Sequence, residues 1–586
     1  MASKRRRPPR DTPALPQRAW IVEDYRSRNT GGEFMKSFCV AAMLALSCVV
    51  RAATPAPVSF EWFEYTGHDA MRARPLPDGY YTNPILPGYY PDPSVVAVGK
   101  KFYLVNSTFA HWPGIPIHES EDLVHWKLIG HALSDPTKVT FDGLGISRGV
   151  FAPSIHFHDG LFYVINTLAD AGGNFFVTAK NPAGPWSDPV WLKEIDGIDP
   201  AFFFDADGKA YILNNGPPEG SPEYQGHRAI WIQQFDIQAG KVTGPRKVIV
   251  NGGADFSKQP IWIEGPHLYR LNGWYYLMCA EGGTERNHSE VVFRGKSPWG
   301  PFEAFSGNPI LTQRDLSPGR ADPVTNAGHA DLVQKRDGSW WAVFLASRPY
   351  EGFRFNTGRE TFLLPVKWEN GWPIILPHGA AIPQPVPGRT SRRADPVLPK
   401  PTLLSVTNRD EFDRAKPGPE WLQIHVPKQP WFDTTSKPGT LTVRPLPLGL
   451  DAKLNTSFLA RRQEDLKFDA STQLTPPSDH GVSAGLAAFQ NEKYWYFFGT
   501  RTRTDGLEVF LERRAGTEKS ELSRLLPQAT ASIRLRISAD GALYSFFYDA
   551  GEGWRALREN DDGSILSTEV AGGFVGTVLG PFARQE

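Results

Sequence analysis

Cysteine is scarce in this chain, with three in 586 residues. Two of them, Cys39 and Cys48, fall in an N-terminal leader, so Cys279 is the one cysteine expected in the mature protein. That excludes an intrachain disulfide. Cys279 lies in "WYYLMCA", a buried-strand pattern, and reads as a core thiol. Long apolar runs are also missing beyond the leader. No stretch reaches the ~18 residues that a membrane helix needs, so no membrane association is expected. No H-x-x-x-H or EF-hand pattern marks a dedicated metal site. Charge of one sign is absent too: 63 basic residues balance 63 acidic ones. Residues 1–52 hold ten of the basic and four of the acidic residues, so the rest is net about −6. Nothing electrostatic favours nucleic acid.

Turn formers and aromatics are plentiful, with 55 Gly, 52 Pro, 36 Phe, 18 Tyr and 18 Trp. This composition and length predict an all-β protein of several domains. At the N-terminus, "MKSFCVAAMLALSCVVRAATPA" from Met35 has the layout of a secretory signal peptide: a basic start, an apolar stretch and small residues near Ala52. Residues 1–34 before it, basic and Pro-rich, are read as a spurious extension. The expected location is periplasmic or secreted.

An internal repeat organises the next 300 residues. Segments beginning at Asp92, Ala152, Asp199, Gly265 and His329 each read as a short strand, a turn with Gly, and an aromatic-rich strand. The starts are 60, 47, 66 and 64 residues apart, room for about four strands each. Five copies predict a five-bladed β-propeller over residues 53–385. The alternative is a succession of hairpins in a large sandwich.

In a propeller, the residues that open the innermost strands converge at one end of the axis. Asp92, Asp199, Glu264 and His329 would then share one cavity, with Asp92 held between Pro91 and Pro93. Cleaving a glycosidic bond takes a protonated acid and an ionised base or nucleophile, and a third carboxyl can tune the acid. Nearby aromatics, among them Tyr89, Tyr90, Phe109, Trp112 and Phe151, suit the apolar faces of sugar rings. A Ca²⁺ or Zn²⁺ site, or a non-catalytic sugar-binding propeller, are the competing readings.

The stretches "NPILPGYYPDPS", "TFAHWPGIPIHESEDLVHW", "FAPSIHFHDGLFYVI", "IDPAFFFDADGKAYI", "IEGPHLYRLNGWYYLMCAEGGTERNHS", "AGHADLV" and "NTGRETFLLPVKWENGWPI" resemble glycoside hydrolase family 43, in its β-xylosidase/α-L-arabinofuranosidase branch. The resemblance implies an inverting propeller enzyme with Asp92 as general base, Glu264 as general acid and Asp199 as pKa modulator and orienter. It further implies that His288, His329, Arg348, Arg359, Phe109, Trp112 and Phe151 line the pocket. Relatives often carry Trp where Phe151 stands. No cofactor is required by this reading, and a Ca²⁺ ion held through water beside His329 is left open. The expected substrates are xylo-oligosaccharides or arabinose-substituted hemicellulose. A homo-oligomer is also left open.

Beyond about residue 385 comes a Pro- and charge-rich linker, 386–402. Residues 403–586 alternate like an antiparallel β-sandwich. The resemblance implies a concanavalin-like domain, one loop of which closes the pocket; an independent carbohydrate-binding module is the alternative.

Overall fold

The computed structural model describes residues 55–388, 407–526 and 530–586. The leader and residues 389–402 of the expected linker lie outside them. Within Thr54–Glu586, one compact unit, five antiparallel sheets follow one another as blades. Blade 1 runs Ser94–Val98, Lys101–Val105, Gly114–Ser120 and Lys127–Leu133. The inner strands of blades 2 to 5 are Ser154–His158, Ile198–Phe204, Glu264–Leu271 and Thr325–Gln334. Each turn glycine of the repeat sits between the first and second strand of its blade, where all five have positive φ. The aromatic after it packs into the space between blades, as Tyr103 does against Phe162 and Tyr276 against Trp368.

The ring is latched by the segment that precedes Asp92. Tyr81 donates its hydroxyl to the Leu363 carbonyl, and Asn83 exchanges two hydrogen bonds with Leu363 in blade 5. Tyr80–Tyr81 also pair with Val386–Pro387, so the propeller reaches past residue 385 into the expected linker.

The sandwich has two sheets with a thick aromatic core between them. Two of its strands correct the expected boundaries. Val58–Gly67, assigned by sequence to the propeller, lies inside one sheet between Leu441–Val443 and Lys467–Leu474. Its alternating apolar residues mark a strand, but only tertiary pairing decides which sheet takes it. His111–Trp112, from a blade 1 loop, adds the last strand to the other sheet by pairing with Gln423 and Ile424.

A second apolar cluster joins the halves. It contains Tyr89, Phe109, Phe141 and Val150 from the propeller with Phe489, Trp495, Phe497 and Phe582 from the sandwich. Gly358 and Gly576 meet backbone to backbone across this seam: a Cβ on Gly358, which has φ +76°, would lie 2.8 Å from the Gly576 Cα. The two halves therefore share one core, and blades 1, 2 and 5 supply the hydrogen bonds across the seam. Among the described residues no hydrogen bond joins blades 3 or 4 to the sandwich.

Candidate active site

Asp92, Asp199 and His329 all adopt the left-handed backbone conformation, each with φ +53°. Gly265, at the equivalent place in blade 4, has φ +58°. This conformation is costly for residues with a Cβ, and its recurrence at four blade mouths marks a constrained site. In blades 3, 4 and 5 it coincides with a bulge in the inner strand, at 198–201, 264–267 and 328–331. Bulges re-aim side chains. Here the kinks bring together residues of different blades. The His329 Nδ1 lies 3.5 Å from Asp92 Oδ1, and the Gly265 N–H donates to Asp199 Oδ2 at 3.3 Å. Glycine is required at 265, because a Cβ there would fall 2.5 Å from His329 Nε2.

The three carboxyls are buried but not alike. Asp92 accepts from Ser107 Oγ at 2.5 Å and from Arg359 Nη1 at 3.0 Å. Burial opposes its charge, but Arg359, His329 and the Ser107 bond outweigh burial and hold it below the usual range. Glu264 has no hydrogen-bonded partner for its carboxyl among the described residues. Burial, and then the charge of Asp92, push it up to about 7, against the pull of Arg359 and Arg228. Asp199 is also raised, by burial, Glu264 and Asp92 in that order. Asp199 and Glu264 thus titrate as a pair that retains a proton near neutral pH, beside an ionised Asp92. The sequence reading made Asp199 the cause of the raised Glu264; burial and Asp92 come first.

His329 is pushed down to about 4, burial outweighing Asp92, and His288 down to about 3. Both are neutral at pH 7. His288 Nδ1 bonds the Asn326 carbonyl at 2.8 Å, which leaves Nε2 as a buried acceptor without a partner. Arg359 retains a buried Nε–H without a partner. Phe109 and Phe151 meet edge-on at 5.8 Å; Phe109 is buried in the shared core and Phe151 is partly buried against it.

A third ring, absent from the sequence-based expectation, joins these two. Phe574, from the sandwich, stacks on Phe109 at 5.8 Å and meets Phe151 edge-on at 6.0 Å. The Arg359 guanidinium lies 5.6 Å from its centroid. Its backbone N–H donates to Ser147 Oγ, which ties the loop to blade 2. The Gly572-Gly573-Phe574 run was the available signal, since two glycines before an aromatic suit a reaching loop. Ser107, another unforeseen partner, follows the second strand of blade 1.

Two expected pocket residues belong elsewhere. Arg348 is 1% exposed and is consumed by Glu360, Asp69 and the Glu464 carbonyl, which makes it a cation of the domain seam. Trp112 is buried in the shared core against Phe141 and in the strand paired with the sandwich. Tyr89 and Tyr90 are likewise buried: Arg462 of the sandwich bonds the Tyr89 carbonyl and the Tyr90 hydroxyl and covers both rings. These aromatics and this cation are near the mouth in sequence but serve the interface.

The direct metal alternative finds no donor set. Among the described residues no group of three or more His, Cys, Asp or Glu side chains is placed to hold an ion. Asp92 already serves Arg359 and Ser107, so no step is assigned to a metal.

Three buried carboxyls at a propeller mouth, one held ionised and two pushed toward protonation, fit a hydrolase of glycosidic bonds. The sequence comparisons agree. A family model, Glycosyl hydrolases family 43, matches residues 81–373, and a Beta xylosidase C-terminal Concanavalin A-like domain matches 409–586. The chain belongs to glycosyl hydrolase family 43. It is 38% identical to a xylosidase/arabinosidase of Butyrivibrio fibrisolvens, over 86% of this chain and 95% of that one. It is also 38% identical to a non-reducing end alpha-L-arabinofuranosidase of Bacteroides ovatus, over 86% and 91%. A solved family 43 structure from capybara gut metagenome superposes with TM-score 0.81 at 37% identity, covering 90% of this chain and all of that one.

Proposed function

We propose that the protein is an exo-acting, inverting β-xylosidase that removes xylose from the ends of xylo-oligosaccharides. The observation that carries this reading is the division of protonation between blades. Asp92, on blade 1, is held ionised and rigid by Arg359, Ser107 and its flanking prolines. It is the base that takes a proton from water. Glu264, on blade 4, sits where burial keeps it protonated, and it donates to the leaving oxygen. Asp199 shares the proton of the pair and, through the Gly265 N–H, braces the strand that carries Glu264. Blades 1 and 4 are not neighbours, so base and acid face each other across the channel. That favours the ~6.5–9.5 Å gap of an inverting enzyme, which leaves room for the attacking water. The Phe109, Phe151 and Phe574 rings clustered beside Arg359, with the sandwich behind them, support a pocket closed on that side, which suits action at a chain end.

α-L-Arabinofuranosidase activity is the second reading, favoured by the name of the Bacteroides ovatus relative. The test is turnover of 4-nitrophenyl β-xyloside against 4-nitrophenyl α-L-arabinofuranoside, with xylobiose as the natural linkage. Turnover of the arabinofuranoside alone would replace the first reading by the second. We place the mature enzyme in the periplasm or medium, on the Met35 leader.

A further inference from the structure

The bulge that presents His329 leaves backbone N–H groups to be satisfied. In blade 5 the inner strand pairs with the next one at Gly328–Leu345 and again at Asp331–Val343. His329 and Ala330 lie between these pairs, opposite Phe344 alone, so the bulge takes them out of the regular ladder. Buried N–H groups so displaced need another acceptor.

That acceptor comes from the neighbouring blade. Glu290 lies in the third strand of blade 4, Ser289–Gly295, and is 0% exposed. Its Oε2 accepts the Ala330 N–H at 2.8 Å, and the His329 N–H is directed at the same carboxyl. Its Oε1 has no partner. Burial raises the Glu290 carboxyl well above the usual range, against the pull of the Ala330 N–H; Asp331 and Glu281 add to the rise. His288, two residues earlier and so on the same face of the strand, braces the start of the bulge. Its Nδ1 bonds the Asn326 carbonyl, and a Cβ on Gly328 would fall 2.8 Å from its ring. Farther along, Asp331 is held from both sides, by Ser94 Oγ and the Val95 N–H of blade 1 and by the Tyr269 hydroxyl of blade 4. Of these holds, that of Glu290 falls on the bulged residues themselves.

What it secures is the ring of His329. The Nδ1 of that ring is 3.5 Å from Asp92 Oδ1. Its Nε2 faces Gly265, the residue after Glu264, so closely that a Cβ there would fall 2.5 Å away. The ring is wedged between the mouth of blade 1, with the base, and the strand of blade 4, with the acid.

We propose that Glu290 is a positioning residue for the hydrolysis: by holding the bulged backbone at His329 and Ala330, it sets the His329 ring between Asp92 and the strand of Glu264. Glu290 supplies an acceptor oxygen and touches no reacting atom. This deepens the glycosidase reading and rests on it.

The test measures kcat, and the pH profile of kcat/KM, on the aryl glycoside that the parent cleaves, xyloside or arabinofuranoside. Glu290→Met keeps the bulk but offers no oxygen. Well below its Tm, its kcat should fall on the order of a hundredfold, the effect of a ~1 Å misplacement near reacting groups. His329 helps to hold Asp92 low, so the acid limb of the profile should also move to higher pH. Glu290→Gln presents an oxygen at the same place, and it should keep most of the parental kcat with the limb unmoved. If Glu290→Met does not fold, Glu290→Asn serves, because its shorter stem cannot carry an oxygen to the bulge and the same losses should appear. A folded Met or Asn variant with a lower Tm but parental kcat and limb would overturn this inference and leave Glu290 a structural acceptor. So would a Gln variant as impaired as the Met one, since the oxygen would then not be what the site needs. A parent inert on both glycosides would overturn the proposed function, and this inference with it.

Discussion

Replacing Glu264 by Gln should make the protein more resistant to alkaline pH while abolishing its turnover of xylobiose. The carboxyl is pushed from 4.5 up to about 7 by burial and by Asp92. A raised carboxyl binds its proton more tightly in the folded state. Its stabilising share is therefore full below pH 4.5, the value for the unfolded chain, and is lost as pH rises to and past 7. Raising the carboxyl from 4.5 to about 7 corresponds to about 3 kcal/mol. The amide of the variant would not titrate. It would also relieve Asp199, which Glu264 helps to raise, so the second member of the pair shifts the balance the same way. Groups common to both proteins cancel in the difference. For a unit of this size, unfolding entropy of ~2 cal/mol/K per residue makes 1 kcal/mol worth about 1 °C in Tm. The Tm advantage of Glu264→Gln over the parent should thus grow by about 3 °C between pH 4 and pH 9, at a fixed scan rate. Parallel curves would refute the claim that Glu264 is strained by its charge, and with it the physical basis of its acid role.

Other consequences can be checked alongside. Asp92→Asn should lower kcat about a hundredfold to ten-thousandfold on xylobiose and on an aryl xyloside alike. Glu264→Gln should be milder on the aryl substrate, whose leaving group needs little protonation. Proton NMR should show α-xylose as the first sugar released from a β-xyloside; β-xylose would reverse the assignment of Asp92 as base. Phe574→Ala should lower kcat/KM roughly tenfold, since it removes one ring of the pocket wall; an unchanged value would detach the sandwich from the site. Exhaustive chelation should leave most activity intact, and complete loss restored by Ca²⁺ alone would give the ion a role beside His329. Mature protein recovered from the periplasm or medium should begin near Ala53, and a cytoplasmic chain retaining residues 1–34 would reject export.

The propeller could be read from sequence because its signal is local and repeated. A glycine at each turn and an aromatic shortly after it report the same hairpin five times. The carboxyl trio was legible for the same reason, since equivalent places in a repeat share one end of the axis. What escaped was everything decided between distant segments. Val58–Gly67 is plainly a strand, but nothing local says that it pairs with Lys467–Leu474. Tyr90, Trp112 and Arg348 stand near the mouth in sequence and have the chemistry of sugar contacts. Only the arrival of Arg462, Gln423 and Glu464 shows that the interface has taken them. Phe574 is the reverse case, an aromatic in the other half of the chain that packs against Phe109 and Phe151 beside Arg359.

The shared core also gives the site its polarity. Among the described residues the hydrogen bonds from the sandwich reach blades 1, 2 and 5, and so the blade of Asp92 but not that of Glu264. Asp92 needs to be rigid and ionised, and a rigid wall with Arg359 behind it supplies both. Glu264, as the proposed acid, needs to stay protonated, which suits a buried carboxyl whose side chain has no hydrogen-bonded partner among the described residues. A free propeller would have neither condition. Its blade 1 mouth would lose Phe574 and the cover over Tyr89, water would screen Arg359 from Asp92, and the unequal protonation of the carboxyls would relax toward ordinary values. On the roles proposed for Asp92 and Glu264, the sandwich would act on the chemistry without contributing a carboxyl to it: by covering the blade 1 mouth, it would keep base and acid different.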